Sequence, residues 1–183
     1  MKLLIASDLH GSAYYTRRLI EVAKAEAPDL IALLGDIYNH GPRNPLPAEY
    51  RPMEVAEMLN GIAARLVVIK GNCDSEVDAM ISRFPLVEEA VLWVDGHRFL
   101  LTHGHRYNAD NMPPMQAGDT LVYGHFHTVT ETVIDGVRVW NPGSISLPKD
   151  GHHAYILVED GLARCLDLDD GLLWQVDLRT SKI

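Results

Sequence analysis

A chain of 183 residues with 47% hydrophobic and 22% charged residues has the size of one ordinary globular domain, residues 1–183, and can fill a core without covalent staples. Two cysteines, Cys73 and Cys165, make no disulfide framework, and no apolar run approaches the ~20 residues of a membrane span, so the expected setting is the reducing cytoplasm. A formal net charge of −9 without a Lys/Arg cluster argues against a protein that follows nucleic-acid backbones by its own charge; a bound phosphate would need a local positive centre, such as a metal.

In chain order, residues 2–6 (KLLIA) read as a buried strand, and residues 13–26 place Tyr15, Leu19, Val22 and Ala23 at helical spacing. LIALLG at 30–35 is a second strand, and MEVAEMLNGIAAR at 53–65 a second helix with Val55, Met58, Leu59 and Ile62 on one side. LVVIKG at 66–71 is a third strand. This β-α-β-α-β order predicts a parallel sheet with helices on its faces. The Pro-rich segment 42–52 between strand two and helix two reads as a long surface loop, suited to contacting a substrate. From about residue 87 the chain changes to strands joined by tight turns at Asp95-Gly96, Asp135-Gly136, Asp160-Gly161 and Asp170-Gly171.

Polar residues follow the strands in a repeated manner. Asp8 and His10 follow the first, Asp36 the second, and Asn72 the third; LLTHGH and LVYGHFH place His103, His125 and His127 after two later strands. In open α/β sheets the carboxyl edge is where ligands bind, so these groups are expected to converge on one surface. Two carboxylates, a carboxamide and four imidazoles in one place are costly to bury without a cation. Seven donors exceed one tetrahedral site but suit two metal ions sharing a carboxylate. The expected arrangement has Asp36 as the bridge, Asp8, His10 and His127 on one ion, and Asn72, His103 and His125 on the other. Mixed O/N donors without an obligatory thiolate suit manganese, iron or zinc.

Taken in order, DLH (8–10), GD (35–36), GNCD (71–74), HGH (103–105) and GHFH (124–127) resemble the five signature motifs of the calcineurin-like metallophosphoesterases, and NPGS (141–144) is a further family-like element. The chain length resembles the small, single-domain YfcE-type phosphodiesterase branch. The resemblance implies a four-layer α/β/β/α sandwich of two mixed sheets flanked by helices. It also implies a binuclear centre often run with manganese, nickel being a further candidate metal, and phosphoester hydrolysis by a metal-bound hydroxide. It carries ligand roles onto Asp8, His10, Asp36, Asn72, His103, His125 and His127, so that Asp36 and Asn72 count among the catalytic residues.

The departure is Cys73, which stands where most of that family has His. A thiol there can donate a proton or hydrogen bond to the leaving oxygen, or simply pack at a strand end; a nucleophile or metal ligand is less in keeping with the donor set. Asp74 is expected to cap a short helix beginning at Ser75. Asn39, His40 and Arg43, just after Asp36, are the candidate substrate-binding residues. His105 is expected beside His103, and His97, His152 and His153 in solvent. The expected function is a metal-dependent phosphodiesterase acting on a small-molecule or nucleotide-like diester, with no membrane or nucleic-acid partner; self-association into a homo-oligomer is compatible with the composition. The alternatives are a phosphomonoesterase on the same centre and a non-catalytic scaffold like the retromer subunit that resembles this family.

Overall fold

The computed structural model describes residues 1–169 and 171–179. In chain order the elements are β1 (Leu3–Ala6), α1 (Ala13–Glu26), β2 (Leu30–Leu33), α2 (Pro52–Asn60), β3 (Leu66–Ile69), α3 (Glu76–Ile81), β4 (Leu86–Val87), β5 (Ala90–Val94), β6 (His97–Leu101), β7 (Thr120–Val122), β8 (Val129–Ile134), β9 (Val137–Pro142), β10 (Ala154–Glu159), β11 (Leu162–Asp167) and β12 (Gly171–Asp177). One sheet runs β12-β11-β10-β1-β2-β3-β4, parallel from β1 to β4; the other runs β5-β6-β7-β9-β8, with β6, β7 and β9 parallel.

Strand periodicity divides the core. On β1, Leu4 and Ala6 join Leu19, Val55 and Leu59 of α1 and α2, whereas Leu3 and Ile5 face the second sheet's Phe99, Leu101, Val122 and Trp140. The opposite face of the second sheet carries Leu100, Leu121 and Val139 under Ala109, Met112 and Met115. This is the two-sheet sandwich expected, but the outermost layer over the second sheet is the irregular segment between β6 and β7. Pro113-Pro114 lies within that segment, and consecutive prolines block a helix there.

Local chemistry explains most boundaries. Ser12 caps α1 through Tyr15 N–H, and Ala27 ends it in the left-handed region at φ 47°. The helix expected over 53–65 stops at Asn60; after Gly61, a poor helix former, only a 3-10 turn at Ala63–Arg65 continues it. Asp95, Asp135 and Asp160 and the glycines after them all have positive φ, as type I′ hairpin turns require. Asp170, of the fourth expected turn, lies outside the described residues.

Candidate metal centre

The candidate ligands sit at strand exits, five of the seven in strained backbone. Asp8, His10, Asp36, His125 and His127 have φ of 56°, 49°, 52°, 66° and 60°, a region that non-glycine residues rarely occupy. Tertiary hydrogen bonds hold them there. His10 N–H donates to Asp36 O (2.8 Å), Gly124 N–H to His103 O (2.9 Å), and His125 N–H to Asp8 Oδ2 (3.0 Å). Ser144 and Ser146 both donate to Asp8 O, at 2.8 and 2.9 Å, which is how the NPGS segment serves the site. Two glycines permit close approach at the site, Gly124 between the two sheets and Gly71 between the neighbouring strands β2 and β3. A Cβ on Gly124 would lie 2.5 Å from Asp8 Oδ2, and one on Gly71 would overlap the Asp36 carboxylate.

The imidazoles are oriented by the main chain. His10, His103 and His127 donate Nδ1–H to the carbonyls of Asn39 (2.7 Å), Leu34 (2.7 Å) and Leu147 (2.8 Å). Each neutral ring therefore presents an Nε2 lone pair inward, held by its other nitrogen in the orientation a metal-binding histidine needs. Those Nε2 atoms face only acceptors: His10 Nε2 and His127 Nε2 are 3.1 Å apart, and His127 Nε2 is 3.1 Å from Asp8 Oδ1. His103 Nε2 is 3.0 Å from Asn72 Oδ1 and 3.4 Å from Asp36 Oδ1. Opposed lone pairs among buried carboxylates repel unless a cation lies between them, so this donor set fits a divalent metal. Asp36 addresses both groups, Oδ1 toward His103 and Oδ2 at 3.8 Å from His10 Nε2.

Without a cation, protons must serve. Burial lowers the His103 pKa, but contact with Asp36 and the field of Asp8 outweigh it and raise the ring to about 9. Burial likewise works to raise Asp8, yet His10 and His127 hold it well below the ordinary carboxylate range. Burial and the nearby Asp36 carboxylate push the Cys73 thiol up to about 12.

The family model for the calcineurin-like phosphoesterase superfamily domain matches residues 1–160. The chain belongs to that superfamily. It is a phosphoester hydrolase whose family works with divalent metal. Over 173 residues it is 41% identical to phosphodiesterase YfcE of Escherichia coli strain K12, covering 93% of this chain and 94% of that one. The solved structure of YfcE, a phosphoesterase from E. coli, superposes with a TM-score of 0.94 at 38% identity, over 97% of this chain and all of the other. Vps29 of Entamoeba histolytica, solved with Zn2+, is similar in fold, with a TM-score of 0.64 at 19% identity over 97% of this chain and 99% of its own.

Around the phosphoesterase cluster lies a cleft of about 810 Å³. Asp36, Asn39, Arg43, Asn72, Cys73, His125 and His127 line it, so most of the expected residues share one opening. Two candidate ligands are less enclosed than the rest: Asn72 is exposed, and His125 is half-exposed, its ring 5.1 Å from that of His103 and its backbone amide in contact with Asp8. His40 does not line the cleft; it packs edge-on against Tyr50 at 5.2 Å, drawn off by an aromatic neighbour. Asn39 contributes its carbonyl to His10, while its side chain accepts from Gly41 N–H.

Asp74 does not cap α3. Ser75 is the cap, in a reciprocal box with Asp78, and Asp74 turns inward to accept three backbone N–H groups: Asp36 (2.8 Å), Ile37 (2.8 Å) and Gly71 (2.7 Å). It thereby fastens the loop after β2 to the loop after β3. His153 is likewise not free in solvent. It stacks on Tyr15 at 4.1 Å and bonds the Ile145 carbonyl. His105 stands 5.5 Å from His103, as expected of a neighbour.

Two cleft residues, Phe126 and Lys149, escape sequence reasoning. Phe126 lies inside GHFH but reads as a spacer, and Lys149 belongs to no motif. The link is structural: Lys149 N–H donates to His127 O at 2.8 Å.

Proposed function

We propose that the chain, as a single catalytic domain, hydrolyses small or nucleotide-like phosphodiesters with two divalent ions. Manganese is the first choice, and iron, zinc or nickel are chemically acceptable to the same donors. The observation that carries this reading is the convergence of three carbonyl-anchored imidazoles on two buried carboxylates at the floor of an open cleft. Asp8, His10 and His127 would hold one ion, and Asn72, His103 and His125 the other, with Asp36 shared between them. The phosphodiesterase name of the 41% identical relative supports the diester.

When bound, divalent metal supplies Lewis acidity toward phosphoryl oxygens and acidifies water. The chain supplies position. Backbone carbonyls fix the imidazoles of His10, His103 and His127, and Cys73 N–H donates to Asp36 Oδ1 at 2.8 Å, steadying the shared carboxylate. Cys73 Sγ, at the cleft wall, offers a weak hydrogen-bond donor to the departing oxygen.

The test is a panel of aryl monoesters and diesters with protein loaded in turn with manganese, nickel, zinc and magnesium. Diesters should turn over faster; a monoester preference overturns the diester reading. Asp36→Ala should lose at least one ion by elemental analysis and fall to background turnover. Full activity in that variant sinks the two-metal arrangement, and a metal-replete protein that hydrolyses nothing would be a scaffold.

A further inference from the structure

The cleft holds more than one phosphate requires. At about 810 Å³ it falls in the range of sites that enclose a whole cofactor-sized ligand. Its lining beyond the candidate ligands includes two cations and an exposed ring: Arg43, Lys149 and Phe126. Lys2, Arg17, Arg18, Lys70, Arg98 and Arg106 are each held by a carboxylate. Arg43 and Lys149 have no carboxylate partner among the described residues, which is also true of Lys24, Arg65, Arg83 and Arg164, but of these six only Arg43 and Lys149 line the cleft. The acid next to Lys149 is spoken for, since Asp150 accepts the backbone N–H groups of Val129 and His152. Two unpaired cations lining one cleft of a chain with net charge −9 mark a place for an anion additional to the one at the ligand cluster.

Phe126 adds a planar contact. It is 41% exposed, and its ring is braced edge-on by His125 at 5.2 Å and Tyr123 at 5.8 Å. An exposed aromatic ring lining the cleft offers a stacking surface to a base or another flat group. The thiol of Cys73 is a weak donor, so the chain gives little help to a poor leaving group, and a departing phosphate needs little.

We propose that the cleft takes pyrophosphate-linked nucleotides, nucleoside diphosphate esters, with one phosphate at the ligand cluster, the second between Arg43 and Lys149, and the base on Phe126. This rests on the phosphodiesterase reading above. In the reaction a water oxygen bonds to the phosphorus at the cluster and the bond from that phosphorus to the bridging oxygen breaks. The electron pair leaves with the second phosphate. Two phosphomonoesters result, and the two protons of the water pass to solvent.

The experiment compares UDP-glucose with bis(p-nitrophenyl) phosphate on manganese-loaded protein, following products by phosphorus NMR. UDP-glucose should give UMP and glucose 1-phosphate. Arg43→Gln and Lys149→Gln should each lower kcat/KM for UDP-glucose about tenfold more than for the aryl diester, the size of one lost charged contact. Phe126→Leu should cost UDP-glucose more than a base-free dialkyl pyrophosphate. Equal losses on both substrates in the Arg43 and Lys149 variants overturn the second-anion site. Turnover of the aryl diester without UDP-glucose overturns the inference and leaves the phosphodiesterase reading standing; turnover of neither diester removes both.

Discussion

Among the described residues, Asp74 spends a buried carboxylate on no side-chain cation. It is 8% exposed, and its partners are three amides from two loops that carry Asp36 and Asn72. Burial still pushes its carboxyl up to about 6, against the pull of those amides. Asp74→Ala strands three donors, and at about 1–3 kcal/mol for each buried group left unpaired it should cost at least ~3 kcal/mol in urea unfolding of chelator-treated protein. Divalent metal affinity, measured by calorimetry, should fall about tenfold or more, because the loops that set the distance between Asp36 and Asn72 are no longer tied. Unchanged affinity would make Asp74 a stabilising residue only. Cys73 makes the neighbouring prediction. With its pKa near 12, chelator-treated protein at pH 8 holds about a thousandfold less thiolate at Cys73 than an ordinary thiol with pKa 9. Its alkylation by iodoacetamide should therefore be slow and should still be rising with pH at pH 10. A plateau below pH 9 would show a thiolate stabilised by something other than the groups around it. A Cys73→His variant should keep or raise diester turnover if the thiol stands beside the leaving group.

At the scale of elements, the site is a seam between two sheets. β1, β2 and β3 deliver Asp8, Asp36 and Asn72, while β6 and β7 deliver His103 and, past Gly124, His125 and His127. Gly124→Ala puts a methyl against Ser7 Oγ and Asp8 Oδ2, so the two sheets must part or the Asp8 loop must move. Overpacking of this kind typically costs about 1–3 kcal/mol, which urea unfolding should register, with a parallel loss of bound metal. Had only separate elements mattered, the sequence would have disclosed nearly everything. The span of α1, the β-α-β-α-β half and the Asp-Gly hairpins all follow from local periodicity and turn chemistry, which act within a few residues. What stayed hidden is tertiary. Nothing local says that Asp74 turns from α3 toward β2, or that His153 crosses to stack on Tyr15. Nor does any motif carry Lys149 to the cleft wall, because a loop residue's position depends on what its neighbours bond to. The irregular cover over the second sheet was legible in one particular, the Pro113-Pro114 pair, which excludes a helix through it.

For the whole molecule, the proposed metal centre draws on the same buried charges as folding does, and pH separates the two. In metal-free protein His103 is held near pKa 9, against about 6.5 for the unfolded chain. A raised folded pKa means that the stabilisation is fully present below pH 6.5, where both states are protonated, and is lost as pH climbs through 9, where the native ring gives up its proton beside Asp36. For a fully buried ring the loss across that window is about 3 kcal/mol by linkage. His10 is also raised, its contacts with Asp8 outweighing the burial that lowers it, so it shifts stability in the same direction. Metal reverses the dependence. Ligation requires the neutral imidazole, so each bound cation displaces protons and its apparent affinity should strengthen from pH 6.5 to 9 and then level off. Urea midpoints of chelator-treated protein should consequently fall over this window, while those of protein at one fixed manganese concentration, a hundredfold the dissociation constant at pH 6.5, should hold steady or rise, because the gain of about 2.7 kcal/mol at pH 6.5 grows as affinity strengthens. Parallel curves with and without metal would mean that the cation binds away from both His103 and His10, because displacement of protons from those rings is what makes the two curves diverge.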